Sequence, residues 1–130
     1  MFNKNQILTA FAKVKSGSDF PTLVQELKSI GVQNFDHIVK TGTDIFYGDN
    51  GFSLQINFPQ PPIEISIHTS IEKLKTALKL HQSGETDYLT FCIQAGASGV
   101  NLWTCDLNSM TVIYEDLLRN IMVSENIPQI

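Results

Sequence analysis

The residues of this chain best suited to chemistry are a histidine and a cysteine in neighbouring helical patterns. His81 ends one pattern, and a four-residue turn would bring it near Tyr88, Phe91 or Cys92 of the next. There it could act as a general base, with Glu85 also in reach, or activate the thiol. A structural role is the alternative, because a histidine in the last turn of a helix interacts favourably with the carbonyl end. His81 and Cys92 are therefore the candidate catalytic residues, and both interpretations stay open.

The cysteines and histidines lack the spacing of a metal site. Cys92 lies on an apolar face and Cys105 lies in a strand pattern, and neither has a basic sequence neighbour that would lower its pKa. Free cysteine is among the most buried residue types, so both are expected to fill the core. No zinc-type pair is formed by the three histidines, His37, His68 and His81. We expect no metal, and because no phosphate loop, nucleophile elbow or dinucleotide fingerprint occurs, no cofactor.

Length and composition predict one folded domain over residues 1–130. Hydrophobic residues make up 42% of the chain and charged residues 17%, which excludes wholesale disorder. No apolar stretch approaches the roughly 20 residues of a membrane-spanning helix. Two cysteines are too few for a disulfide framework and suit a reducing compartment. We expect a soluble, cytoplasmic protein without a membrane partner.

The charge pattern disfavours nucleic acid as a partner. The formal net charge is −4, and Arg119 is the sole arginine. Phosphate and base-edge recognition depend on arginine forks and dense basic patches, which this chain lacks.

Near the N-terminus, the apolar spacing of Ile7, Leu8, Phe11 and Val14 predicts a helix that packs on the core.

The periodicity changes from helical to alternating twice along the chain. A helix is predicted from Asp19 and Pro21 to Gly31, followed by strands at 32–39, 44–47 and 52–58. The connector at 59–68 is rich in proline and includes a short alternating strand at 63–67. A capping box opening at Thr69 predicts a helix to Gly84, and a further helix runs over about 87–98. The last predicted strands are 100–106, 110–114 and 121–127.

The two halves, about 3–58 and 69–127, match in chemical type at one offset. Phe20 aligns with Tyr88, Gly31 with Gly99 and Phe35 with Trp103. With one residue deleted in the turn, Tyr47 then aligns with Tyr114. We infer an α+β fold in which two helix–helix–strands pseudo-repeats form an antiparallel sheet with helices packed on one face.

A duplicated scaffold of this kind suggests a cleft between the halves. Its candidate ligand-binding residues are aromatic and histidine side chains of the predicted strands: His37, Tyr47, Trp103 and Tyr114, with Phe35 beside them. His37 has a structural alternative, as a partly buried sheet residue with one satisfied nitrogen.

Several segments resemble the YbcV-like family of small bacterial proteins of unknown function, some of them labelled phage envelope proteins. The most particular is the run His81-Gln82-Ser83-Gly84-Glu85, and the similar segments span residues 19 to 128. The resemblance implies a bacterial or phage-derived origin. It supplies no catalytic residues.

Three functions follow as hypotheses. The preferred one is a non-enzymatic α+β module that binds a protein partner or small molecule, with a homo-oligomer as one form. The second is a small enzyme in which His81 acts as general base near Tyr88 or Cys92. The third is a phage-derived structural component.

Overall fold

The structure, a computed structural model, describes residues 1–128. Four helices and six strands follow one another in the order helix, helix, three strands, and then the same again. The helices are α1 (Lys4–Ala12), α2 (Phe20–Ser29), α3 (Ile71–Gln82) and α4 (Tyr88–Ala97). The strands are β1 (Asn34–Ile38), β2 (Thr43–Tyr47), β3 (Ser53–Asn57), β4 (Leu102–Asp106), β5 (Thr111–Glu115) and β6 (Ile121–Asn126). Short 3₁₀ helices lie at Gly17–Asp19 and Asp49–Gly51.

The six strands form one antiparallel sheet in the order β3-β2-β1-β4-β5-β6. The predicted α+β fold with an antiparallel sheet is therefore confirmed. The β1–β4 pair is at the centre of the sheet, with β2 and β3 beyond β1 and with β5 and β6 beyond β4. The limits of the two halves, at 3–58 and 69–127, stay a prediction.

The register of the central pair relates the two sets of strands by an approximate two-fold axis. Asp36 pairs with Thr104, and on either side of them Phe35 pairs with Cys105 and His37 with Trp103. The offset between Asp36 and Thr104 is 104 − 36 = 68, the offset that aligns Phe35 with Trp103. The axis therefore passes through the Asp36–Thr104 pair, where Thr104 Oγ1 donates to Asp36 Oδ1 at 2.7 Å.

The alignment of Tyr47 with Tyr114 is wrong, because the first turn of each half has the same length. Phe35 pairs with Phe46, and Trp103 pairs with Tyr114, so the equivalent of Tyr114 is Phe46 at 114 − 46 = 68. Tyr47 instead corresponds to Glu115, one position along and on the opposite face of the sheet. The halves differ by one residue further on, where a bulge interrupts the β5–β6 register between Tyr114 and Glu115.

Burial alternates along the strands and places the core on one face of the sheet. Phe35, Trp103 and Tyr114 are buried, while their strand neighbours are partly exposed. Phe11 of α1 contacts Phe46, and Phe91 of α4 contacts Trp103, so both helices pack against this inner face.

The alternating segment at 63–67 is not a strand, although its pattern predicts one. It crosses α4 at Gly96, where a Cβ atom would lie 2.8 Å from Ile63 Cγ2, and Ser66 N–H donates to the Gly96 carbonyl at 2.9 Å. Since none of the six strands pairs with this segment, Ile63 and Ile65 pack on the helix, while Ile67 is exposed. The cap of α3 is also shifted by one residue, since Ser70 rather than Thr69 accepts the N–H of Lys73.

None of the helices in residues 1–128 is long and apolar enough to cross a membrane.

Candidate functional site

A cavity of about 230 Å³ lies between the inner face of the sheet and the helices. One wall is the segment that joins α1 to α2, including Val14, Ser16 and Gly17, and another is the end of α3, including Leu78 and His81. The floor is the sheet, through Trp103 and its neighbours. The cavity is larger than the apolar cavity of about 150 Å³ that holds benzene in a well-known engineered protein. It therefore has room for a substituted ring.

Aromatic side chains form a large part of the cavity wall. Seven aromatic side chains line it, and they come from α2, α4, the sheet and the end of α1. Trp103 is the centre of this group, with ring centroids 5.5 Å from Phe91, 5.7 Å from Tyr114 and 6.4 Å from Tyr88. A surface of this kind binds flat apolar molecules by burial and by ring contacts.

Two largely buried residues of the wall, Trp103 and Tyr114, carry polar groups that have no partner among residues 1–128. Trp103 is 5% exposed and Tyr114 is 6% exposed, and neither the indole N–H nor the hydroxyl forms a hydrogen bond with residues 1–128. Buried indole N–H and phenol O–H groups usually find a partner. The sealed, unpartnered polar atoms of this part of the chain are Thr86 Oγ1 and Gln94 Oε1, so the polar atoms of Trp103 and Tyr114 keep some accessible surface, and both residues line the cavity.

His81 adds another polar group to the wall, which also includes Lys15, Ser16 and Gln82. It is half-buried, and its ring stacks on Phe91 with centroids 4.7 Å apart. Nδ1 lies 3.2 Å from the Thr86 carbonyl, and because a carbonyl only accepts, Nδ1 carries the proton. Burial lowers the pKa of His81, while the Thr86 carbonyl and Asp87 act in the opposite direction. Because Nδ1 carries a proton, Nε2 is a hydrogen-bond acceptor in the neutral form of the ring, and burial favours that form.

The contact that the enzyme hypothesis requires is not formed among residues 1–128. The rings of His81 and Tyr88 are 6.3 Å apart, and His81 has no hydrogen bond to Tyr88, Cys92 or Glu85. His81 is accessible from the cavity, as that hypothesis also requires. Its one fixed contact is with backbone, which is the structural interpretation of the last-turn histidine.

Cys92 instead contacts a different histidine. Its sulfur lies 3.9 Å from His37 Nε2, while His37 Nδ1 donates to the Asp44 carboxylate. This order of carboxylate, imidazole and thiol matches that of a cysteine nucleophile with its base. The thiol is sealed from solvent, however, and burial raises the pKa of Cys92 to about 12. A buried, protonated thiol is a poor nucleophile.

His37 and Asp44 form a buried pair beside Trp103, on the inner face of the sheet. They are 1% and 2% exposed, and they face each other across the β1–β2 hairpin. The His37 ring stacks on Trp103 at 4.3 Å, and the Tyr88 hydroxyl lies 3.3 Å from Nδ1. Burial raises the pKa of Asp44, and the hydrogen bond from His37 acts against that shift. The pair therefore supports two cavity walls, Trp103 and Tyr88, without lining the cavity itself.

The predicted ligand-binding residues separate into three places. Trp103 and Tyr114 line the cavity, together with Phe35, and His37 lies behind them. Tyr47 is on the outer face of the sheet, with its hydroxyl 3.5 Å from Asp36 Oδ2. No group of three His, Cys, Asp or Glu side chains in the described part of the chain could hold a metal ion.

Sequence reasoning missed Asp44 and the segment from Phe11 to Gly17. Asp44 could have been found from the hairpin, because a turn centred on residues 40–41 places residue 44 opposite residue 37. The wall formed by Ser16 and Gly17 depends on how the α1–α2 connection folds over α3, and no local pattern predicts that.

Residues 8–126 match the protein family described as "Protein of unknown function (DUF1398)". The chain belongs to this family. Among curated proteins no match is found. The family carries no assigned activity, so the function of this DUF1398 protein has to be argued from the cavity.

Proposed function

We propose that this DUF1398 protein is a non-enzymatic module that binds a small, largely apolar molecule in the cavity over Trp103. One observation carries the proposal: Trp103 and Tyr114 are largely buried and line the cavity, and the indole N–H and the phenol hydroxyl keep accessible surface without a hydrogen-bond partner among residues 1–128. A hydrogen bond to such a group contributes about 0.5–1.5 kcal/mol net. A bound molecule that pairs with both groups gains this free energy in addition to that from burial of its apolar surface.

The states of the candidate nucleophile, Cys92, and of the candidate base, His81, favour ligand binding over catalysis. Cys92 is sealed and protonated, and the protonated nitrogen of His81 is held by a backbone carbonyl. The Cys92 thiol is therefore not activated as a nucleophile, and His81 has no hydrogen bond to Tyr88, Cys92 or Glu85 through which its Nε2 could act as a base. A molecule with an aromatic or aliphatic body, in contrast, gains free energy by burial on each of the aromatic walls.

The test places a larger side chain in the cavity from strand β5, and the control places the same side chain on the outer face of that strand. Val112 is buried and lines the cavity, whereas its neighbour Ile113 is on the outer face. Trp103 is the single tryptophan, so its indole ¹H–¹⁵N signal reports on the cavity directly. We expect toluene and phenol to shift that signal saturably in the natural protein and in Ile113→Phe, and not in Val112→Phe.

Overfilling a packed core costs about 1–3 kcal/mol, so circular dichroism must first show that Val112→Phe is folded. An equal saturable shift in the folded Val112→Phe variant contradicts the proposal. So does the lack of a saturable shift in the natural protein with either compound.

We also propose an origin and a cellular location for the protein. The run His81–Glu85 supports the likeness to the YbcV-like family and so a bacterial or phage-derived origin, and the sparse cysteine usage supports a cytoplasmic location.

A further inference from the structure

The polar groups of the cavity wall differ in what they can donate and accept. The indole N–H of Trp103 only donates, the Tyr114 hydroxyl does either, and Nε2 of neutral His81 only accepts. A guest that satisfies all three must bring at least one acceptor and one donor. Hydrocarbons and pure acceptors such as ethers leave one of these groups unpaired.

The charges around the cavity disfavour an anion. No acidic side chain lines the cavity in the described part of the chain, but carboxylates stand close behind its polar wall. Asp87 acts on the charge state of His81. Burial raises the pKa of the Tyr114 phenol, and Cys105 and Glu125 act in the same direction. An anionic guest beside His81 and Tyr114 would face Asp87 and Glu125.

Lys15 does not reverse that balance. It is the one lysine of the wall, and its side chain is exposed and therefore well solvated. Charge interactions at exposed positions contribute about 0–1 kcal/mol and are screened by salt. The buried groups decide the selectivity.

From this pattern we infer that the ligand is an uncharged ring compound with a hydroxyl or ring N–H that donates to Nε2 of His81. The inference rests on the proposed ligand-binding function and names its chemical class. The same ligand carries an acceptor for the Trp103 N–H or the Tyr114 hydroxyl. A phenolic or N–H heteroaromatic group meets both requirements, since its oxygen or second ring nitrogen accepts while its hydrogen is donated.

Four probe molecules of similar size test the chemical class of the ligand separately from the binding function. Phenol has a donor and an acceptor, anisole has the acceptor alone, toluene has neither, and benzoate is an anion. We expect phenol to bind about 2- to 10-fold more tightly than anisole, the contribution of one neutral hydrogen bond. Affinities follow from the Trp103 indole signal or from calorimetry.

The variant His81→Phe tests the role of Nε2. Phenylalanine keeps the stacking on Phe91 and the shape of the wall but removes the acceptor. We expect the phenol-to-anisole affinity ratio to fall to about 1 in His81→Phe and to persist in the control Tyr47→Phe, which lies on the outer face. The Nε2 signal of His81 in ¹⁵N-labelled protein is expected to shift with phenol and not with anisole.

The outcomes are distinct. Equal binding of phenol and anisole, tighter binding of benzoate than of phenol, or an unchanged ratio in His81→Phe overturns the ligand class while the binding function stands. Failure of all four probes to shift the Trp103 signal overturns the binding function itself.

Discussion

His37 and Asp44 are the residues whose removal should cost most, because each is buried and each is the other's main polar partner. Replacing both members of such a pair with apolar residues is often neutral, whereas removing one member leaves a buried group unpaired. We expect His37→Phe to lower the free energy of unfolding by about 3–5 kcal/mol and the double variant His37→Phe/Asp44→Leu to recover most of it. Urea denaturation measures both.

The loss of stability in His37→Phe should depend on pH and should become smaller as the pH falls. Without His37, the effect that lowers the pKa of Asp44 is gone and burial, which raises it, remains. A carboxyl group with a raised folded-state pKa destabilises the fold progressively as pH rises above the unfolded value of about 3.9. The difference in stability between His37→Phe and the natural protein should therefore shrink on acidification towards pH 4. A difference that is constant from pH 4 to 7 would show that Asp44 is not the unpaired group.

At the scale of elements, the segment between α1 and α2 is closely fitted to the end of α3. A Cβ atom on Gly17 would lie 2.3 Å from the His81 carbonyl oxygen and 2.7 Å from its Cδ2. Both atoms belong to a residue that Thr86 holds in place. A glycine is therefore needed here for close approach rather than for an unusual backbone angle.

We expect Gly17→Ala to lower the free energy of unfolding by about 1–3 kcal/mol and to displace the 3₁₀ turn from α3. Ser18→Ala, at the next and exposed position of the same turn, is the control and should change stability by less than about 0.5 kcal/mol. Thermal or urea unfolding compares the two, and equal stabilities would show that the turn can move aside without cost.

The elements of the sheet and helices could be predicted from the sequence, because hydrophobic periodicity directly reflects burial on one face. The lack of a strand at 63–67 could not be predicted, since alternation marks an extended, half-buried segment whether or not another strand pairs with it. The misplaced Tyr47 has a related cause: one residue of error in a turn moves a strand residue to the other face. The cavity joins the α1–α2 connection, α3 and the sheet, which are distant in sequence, so of the residues predicted for a cleft only Phe35, Trp103 and Tyr114 line it.

At the scale of the whole molecule, the two sets of strands meet only through β1 and β4 within the sheet. The Asp36–Thr104 pair is favourable between the two halves, whereas a pair of identical first halves would place Asp36 opposite Asp36. Like charges directly opposite one another destabilise a strand pair.

We therefore expect separately produced fragments 1–60 and 69–130 to form a 1:1 complex when mixed and fragment 1–60 to self-associate poorly. Light scattering after size exclusion gives the stoichiometry, and circular dichroism reports the strand content. Asp36→Thr in fragment 1–60 should increase its self-association. Equally strong self-association of the unaltered fragment would argue against the register at Asp36 as the source of pairing specificity.

The approximate two-fold axis relates Trp103 to Phe35 and Tyr114 to Phe46, so the polar atoms stand on one side of it and plain hydrocarbon rings on the other. An identical pair of subunits would repeat every polar atom and would offer a guest two indistinguishable poses. Since both units here belong to one polypeptide, their interiors differ, and a guest that pairs with the indole and the phenol is held in a single pose.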